Sequence, residues 1–170
     1  QGTSMKKRFL LLSAFILSGC VMSDGELRER YAEHYSQSPA YVAAFKQRID
    51  TMSANEIAAM GAENDRARMQ GQPRMKVDDT VYIEKIEAKG SDVIYHYSLT
   101  AEWLNKPAAA REDDQKNMQK DLIYRTCSLQ TVRLAQAKGL AEIHYYYDDY
   151  PGHVLFTLNA NKALCEKNGF

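Results

Sequence analysis

Three observations place this chain in the α+β class: helical spacing of apolar residues before residue 74, strand-like alternation after it, and a helical stretch that splits the alternation into two hairpins. The predicted order is three N-terminal helices followed by strand-strand-helix-strand-strand. The expected product is an antiparallel sheet packed on one long helix and closed by one disulfide.

From Asp24 onward, Leu27, Tyr31 and Tyr35 recur every four residues and share a helix face. Ser38-Pro39 then supplies an N-cap and a first-turn proline, and Tyr41, Phe45, Ile49 and Met52 continue at helical spacing. Ser53-Ala54-Asn55-Glu56 is a capping-box pattern. The helix it opens carries Ile57 and Met60 but fades into Glu63-Asn64-Asp65-Arg66, a thin apolar face expected to hold loosely. Gly71-Gln72-Pro73 marks a boundary, which divides the chain into a helical region at 20–74 and an α+β domain at 75–170.

Beyond Met75 the period changes to two. Val81 to Ile86 is rich in strand formers, Lys89-Gly90-Ser91-Asp92 is a turn, and Val93, Tyr95, Tyr97 and Leu99 alternate with Ile94, His96, Ser98 and Thr100. Asn105 to Ala110, with Pro107, reads as a linker. A helix opens near Glu112-Asp113-Asp114, whose charge suits the positive end of its dipole, and runs to a C-cap at Gly139. Met118, Leu122 and Leu129 form one stripe on it, with Ile123, Cys127 and Leu134 beside them; so broad a face lies against a sheet. In the second hairpin Ile143, Tyr145 and Tyr147 alternate with polar residues, Asp149-Tyr150-Pro151-Gly152 turns, and Val154, Phe156 and Leu158 return.

The N-terminus fixes a location. Residues 1–4 precede Met5 and read as a cloning remnant, and 5–19 reads as a signal peptide: Lys6-Lys7-Arg8, then an apolar run from Phe9 to Leu17. That run is roughly 14 Å long as a helix at about 1.5 Å per residue, too short for a bilayer core of roughly 30 Å. Leu17-Ser18-Gly19-Cys20 resembles the lipobox of bacterial lipoproteins, whose cysteine becomes the lipidated first residue. Several acyl chains, at about 0.8 kcal/mol per buried methylene, would anchor a domain stably. In that family an aspartate after the cysteine favours the inner membrane; Val21 stands here, which implies the periplasmic face of an outer membrane.

The chain has 22 basic and 22 acidic residues. Removing Lys6, Lys7 and Arg8 with the signal leaves 19 basic against 22 acidic, a mildly acidic domain of net charge about −3. That argues against a nucleic-acid partner, whose phosphates need basic groups. With Cys20 assigned to lipid, Cys127 and Cys165 remain as an even pair in an oxidising compartment and are expected to form a disulfide. A metal site would want more ligands at close spacing.

Candidate chemistry is sparse. His34, His96, His144 and His153 are scattered; if Asp148 pairs with His153, His144 falls opposite Thr157 and not opposite His153. Asp78-Asp79, Asp113-Asp114 and Asp148-Asp149 stand at segment ends, where such pairs cap helices or solvate turns. No nucleophile elbow, phosphate loop or zinc-protease motif is present. The chain is therefore expected to be no enzyme and to need no cofactor or metal. Its eleven tyrosines point to binding, since tyrosine anchors interfaces. Tyr145-Tyr146-Tyr147 places rings on both faces of its strand, Tyr146 pointing with Glu142, His144 and Asp148 on the more polar side.

Cys127, Gly139, the hairpin from Tyr145 to Gly152, and Cys165, behind a lipobox and N-terminal helices, together resemble the small pilotin lipoproteins of type II secretion systems, in the branch with an α+β domain and one disulfide. The resemblance implies a protein that binds a short helical segment of a secretin subunit and escorts it to the outer membrane. It places the receiving surface on the long helix and adjacent strands, around Leu122, Leu129, Tyr145, Tyr146 and Phe156. Two other readings stand beside it: an immunity or exclusion lipoprotein that blocks a periplasmic toxin or phage component, and a subunit of a conjugation or pilus assembly.

Overall fold

The computed structural model describes residues 22–170. The cloning remnant, the signal peptide at 5–19 and the lipidation site Cys20 lie outside the described residues. Three helices come first: α1 (Asp24–His34), α2 (Pro39–Ile49) and α3 (Ala54–Ala67). Each begins at a serine whose hydroxyl accepts a backbone N–H of the first turn: Ser23 from Glu26, Ser38 from Tyr41 and Ser53 from Glu56, all at 3.2 Å. Glu56 completes the capping box by accepting the Ser53 N–H at 3.1 Å. Gly71, at φ 76, turns the chain into the strands.

The sheet follows: β1 (Met75–Lys76), β2 (Val81–Lys89) and β3 (Asp92–Leu99), then helices α4 (Ala101–Leu104), α5 (Ala108–Cys127) and α6 (Gln130–Ala137), then β4 (Ala141–Asp149), β5 (His153–Ala160) and α7 (Lys162–Lys167). Gly90, at φ 60, makes the two-residue turn between β2 and β3. The strands lie in the order β1-β2-β3-β4-β5. The α+β class is as the sequence predicts, with one correction: β3 and β4 pair in parallel, while the other neighbours are antiparallel. The helices between β3 and β4 form a crossover that returns the chain to the end where β3 began, and such a connection joins parallel strands.

The long helix also differs from expectation. It starts at Ala108, directly after Pro107, and breaks at Ser128–Leu129. The break opens a second helix N-terminus, which Gln37 caps from the α1–α2 loop: its Oε1 accepts the Thr131 N–H at 3.1 Å and its Nε2 donates to Thr131 Oγ1 at 3.0 Å. Gly139, at φ 110, ends α6 as predicted.

Three buried clusters sit on one face of the sheet. The largest packs Leu122, Ile123 and Cys127 of α5 against Tyr146, Phe156 and Leu158. In the second, Ala58 and Ala62 of α3 meet Ile83, Ile86 and Val93. The third joins Ile49, Ile57 and Ala135. Far from loosely held, α3 lies directly on β2 and β3 because the residues it turns to the sheet, Ala58, Gly61 and Ala62, are small: a Cβ on Gly61 would stand 3.5 Å from Val93 Cγ2. The segment 71–73 is a turn inside one packed body; α3 shares its core with the strands that follow.

Cys127 and Cys165 form the expected disulfide, with Cα atoms 5.6 Å apart. Cys165 lies in α7, just past the last strand, so the bridge ties one helix end to another. At the free edge of β5, the Gln119 side chain donates to Asn159 O at 3.1 Å and accepts its N–H at 3.4 Å, standing where a sixth strand would bond. Arg66 similarly donates to Ile86 O at 3.0 Å on the β2 side. The bridge closes a loop of 38 residues, for which chain entropy gives about 4 kcal/mol. The double variant Cys127→Ser, Cys165→Ser should lose stability of that order in urea unfolding; a loss well below about 1 kcal/mol would show the bridge to be idle.

Candidate functional site

The parallel register sets Tyr95 beside His144 and Tyr97 beside Tyr146, and the antiparallel one sets Tyr146 beside Phe156. Directly opposed residues share a face, so these rings stack across three strands on the helix-covered side. Centroid separations are 4.3 Å for Tyr95–His144, 4.7 Å for Tyr97–Tyr146 and 4.7 Å for Tyr146–Phe156, with planes within 11° in each case. The polar side of β4 is thus an interior side. His144 meets Tyr97 Oη at 3.0 Å and Glu142 at 3.1 Å, and the Tyr95 hydroxyl donates to Asp65. Burial pushes the Tyr95, Tyr97 and Tyr146 phenols up, Tyr146 to about 12.

The ladder's Tyr95 end opens into a cavity of ≈ 320 Å³ where α2, α3 and α6 meet β3 and β4. Tyr41, Phe45, Met60, Leu129 and Val132 line it with apolar surface, beside the exposed Asn64 and Arg68. Tyr41 stands 57% exposed there. Its floor carries Asp65, Tyr95, Arg125 and Glu142. Burial works against the Arg125 charge, yet Asp121 at 3.6 Å and the other acidic neighbours raise its pKa further above its ordinary value. Acidic and basic side chains thus stand in one cleft with the aromatic and aliphatic ones.

The residues singled out from sequence do not converge. Leu122, Tyr146 and Phe156 are core, 3%, 9% and 9% exposed. Tyr145 is on the opposite sheet face, tilted against His96 at 5.6 Å. Leu129 alone reaches the cleft. The rim residues that sequence reasoning left out, Tyr41 and Phe45, carried a signal: they stand on one helix stripe, which reads as core until the cleft is seen. In the second hairpin His153 pairs with Asp149, one residue beyond Asp148, so His144 faces Leu158. His153 still meets Asp148 through its side chain, at 2.8 Å.

On the open face His96 is held between Tyr147 Oη at 2.7 Å and Glu87 at 2.6 Å. Among the described residues no three His, Cys, Asp or Glu side chains could hold a metal ion, and no helix is long and apolar enough to cross a membrane.

No known family profile matches the chain, and no curated protein matches it in sequence. Solved structures do. A Pseudomonas aeruginosa protein described as secreted superposes with a TM-score of 0.50 at 16% identity, over 66% of this chain and 96% of its own. The type II secretion system pilotin AspS from Vibrio cholerae gives 0.46 at 18% identity, over 72% of this chain and 98% of its own. The pilotin EpsS from the Vibrio vulnificus type 2 secretion system gives 0.47 at 13% identity, over 66% and 94%. Two of these three are named as pilotins; the likeness to the first structure, at 16% identity, is one of fold.

The raised tyrosines make an alkaline test. A free tyrosine ionises near 10.0, and Tyr146 in the folded chain near 12. The folded state holds that proton more tightly, so the contribution is whole below about pH 10 and is lost as the pH rises through 10 towards 12. Thermal unfolding followed across that range should show falling stability, with the buried phenols ionising only as the fold opens. Tyr146→Phe should fall less steeply; an equal fall would remove Tyr146 from the cause.

Proposed function

We propose that the protein is anchored by lipid at Cys20 to the periplasmic face of an outer membrane and receives a helix of another envelope protein in the α2–α3–α6 cleft. The observation that carries the reading is the cleft itself: an apolar set led by exposed Tyr41, with polar Asn64 and Arg68 beside it and acidic and basic side chains below. At ≈ 320 Å³ it stands at the small end of ligand cavities, which run about 300–1,000 Å³. That is room for the anchoring side chains of an amphipathic helix, which enter a groove at i, i+3 and i+4 spacing. The lipobox supports the anchor, and the sequence resemblance supports a secretin-type subunit as partner. The structures it superposes on include two named for type II secretion pilotins.

The reading moves the receiving surface away from Leu122, Tyr146 and Phe156, whose side chains are interior, and onto Tyr41, Phe45, Met60 and Leu129. Capture of the partner from crosslinked native membranes tests it. A secretin-type subunit should come with the wild-type protein, and Tyr41→Asp or Leu129→Asp should weaken its binding by about 30-fold or more, the scale of an interface anchor. Tyr145→Ala, on the other sheet face, should leave binding unchanged. Unchanged capture by both aspartate variants would sink the cleft. Recovery of a toxin or phage protein instead would favour the immunity reading, and of conjugation or pilus proteins the assembly reading.

A further inference from the structure

A second concavity lies on the far side of α5 from the cleft. It encloses ≈ 510 Å³ and is lined by Asp24, Lys116, Lys120, Lys167, Ile123 and Leu164, among others. Its charged residues are three lysines and one aspartate. This is a local excess of positive charge on a domain whose mature net charge is about −3, 19 basic residues against 22 acidic.

Lys120 donates to Asp24 at 2.9 Å, which fixes the start of α1 at this spot. Lys116 has only a loose partner, Glu112 at 3.5 Å, with both side chains 71% exposed. Lys167 is exposed and takes part in no ion pair among the described residues. The neighbouring Lys162 is paired at 3.9 Å with Glu166.

The place of this patch in the chain gives it an occupant. Cys20 precedes Asp24 by Val21, Met22 and Ser23. Four residues span at most about 14 Å, at roughly 3.5 Å each. An acyl-bearing Cys20 therefore holds the Asp24 end of α1, and the lysines around it, within a headgroup's reach of the bilayer. Met22, 38% exposed, stands on the same short tether.

We infer that the surface of Lys116, Lys120 and Lys167 is a membrane-facing contact for anionic phospholipid headgroups, set by the short tether at Cys20. The inference rests on the lipid anchor of the proposed function. Positive side chains near an anionic surface each contribute about a fivefold gain in partition, and the gain is screened by salt. The orientation also serves the cleft. Arg125, on its floor, lies about two and a half turns beyond Lys116, on the opposite side of α5. With the lysines down, the cleft opens away from the lipid.

The test uses the full-length chain, acylated in cells and reconstituted into vesicles of phosphatidylethanolamine alone or mixed with phosphatidylglycerol. Short pulses of an amine-acylating reagent, read by peptide mass spectrometry, report the accessibility of each lysine; intact mass reports acylation of Cys20. Labelling of Lys116 and Lys167 should slow about fivefold or more in the anionic vesicles, while Lys46 of α2 keeps its rate. The double variant Lys116→Glu, Lys167→Glu should abolish the slowing measured at Lys120 without altering the thermal midpoint. An acylated chain whose Lys116 and Lys167 label equally fast in both vesicle types overturns this inference and leaves the anchor standing. A chain without acyl groups overturns the anchor and this inference with it.

Discussion

The parallel pairing of β3 with β4 is the constraint on which the rest depends. Two strands running the same way cannot be joined by a tight turn, so the chain must cross over between Leu99 and Ala141. That crossover is α4, α5 and α6, and its packing face is the one α3 already occupies. The packed helices then crowd one side of the sheet, and a cleft forms beside the contact that Ile57 of α3 makes with Ala135 of α6. The same register aligns Tyr95 with His144 and Tyr97 with Tyr146, so the ring stack is a product of strand direction as much as of residue type.

His144 and Tyr95 are tolerable in that interior because each finds a partner from another segment. His144 belongs to β4, but one of its partners, Tyr97, is on β3; Tyr95 is satisfied by Asp65 of α3. Unpaired, such groups would each cost about 1–3 kcal/mol. The network therefore specifies how α3 sits over the sheet, which apolar contacts between alanines and β-branched residues would leave free to slide. The disulfide acts at the other end of the crossover, holding α5 against α7 where the helix breaks.

Local features were legible in the sequence and distant ones were not. The serine caps of α2 and α3 were readable because a cap and the N–H that donates to it lie within four residues. Both hairpins showed through their period, yet alternation carries no strand direction, and the parallel pair stayed hidden. The break at Ser128–Leu129 has no glycine or proline to announce it; it is stabilised by Gln37, about ninety positions earlier. The hold of α3 was missed because Ala58, Gly61 and Ala62 make a close contact without a large apolar stripe. Of the candidate site only Leu129 was named, since burial of Leu122, Tyr146 and Phe156 depends on which face the helices cover.

The side chains at the sheet's two margins have a consequence for how these molecules coexist. A bare strand edge is a template on which copies of a chain can add one after another into a fibre. Here Gln119 occupies both bonding groups of Asn159, and the opposite margin ends in a two-residue β1 with Arg66 seated on Ile86. A second copy could pair with Asn159 of β5 only by first evicting this amide. The margins are thus blunted at Asn159 and Ile86 by side chains of the molecule's own helices, which disfavours the addition of a copy at those positions.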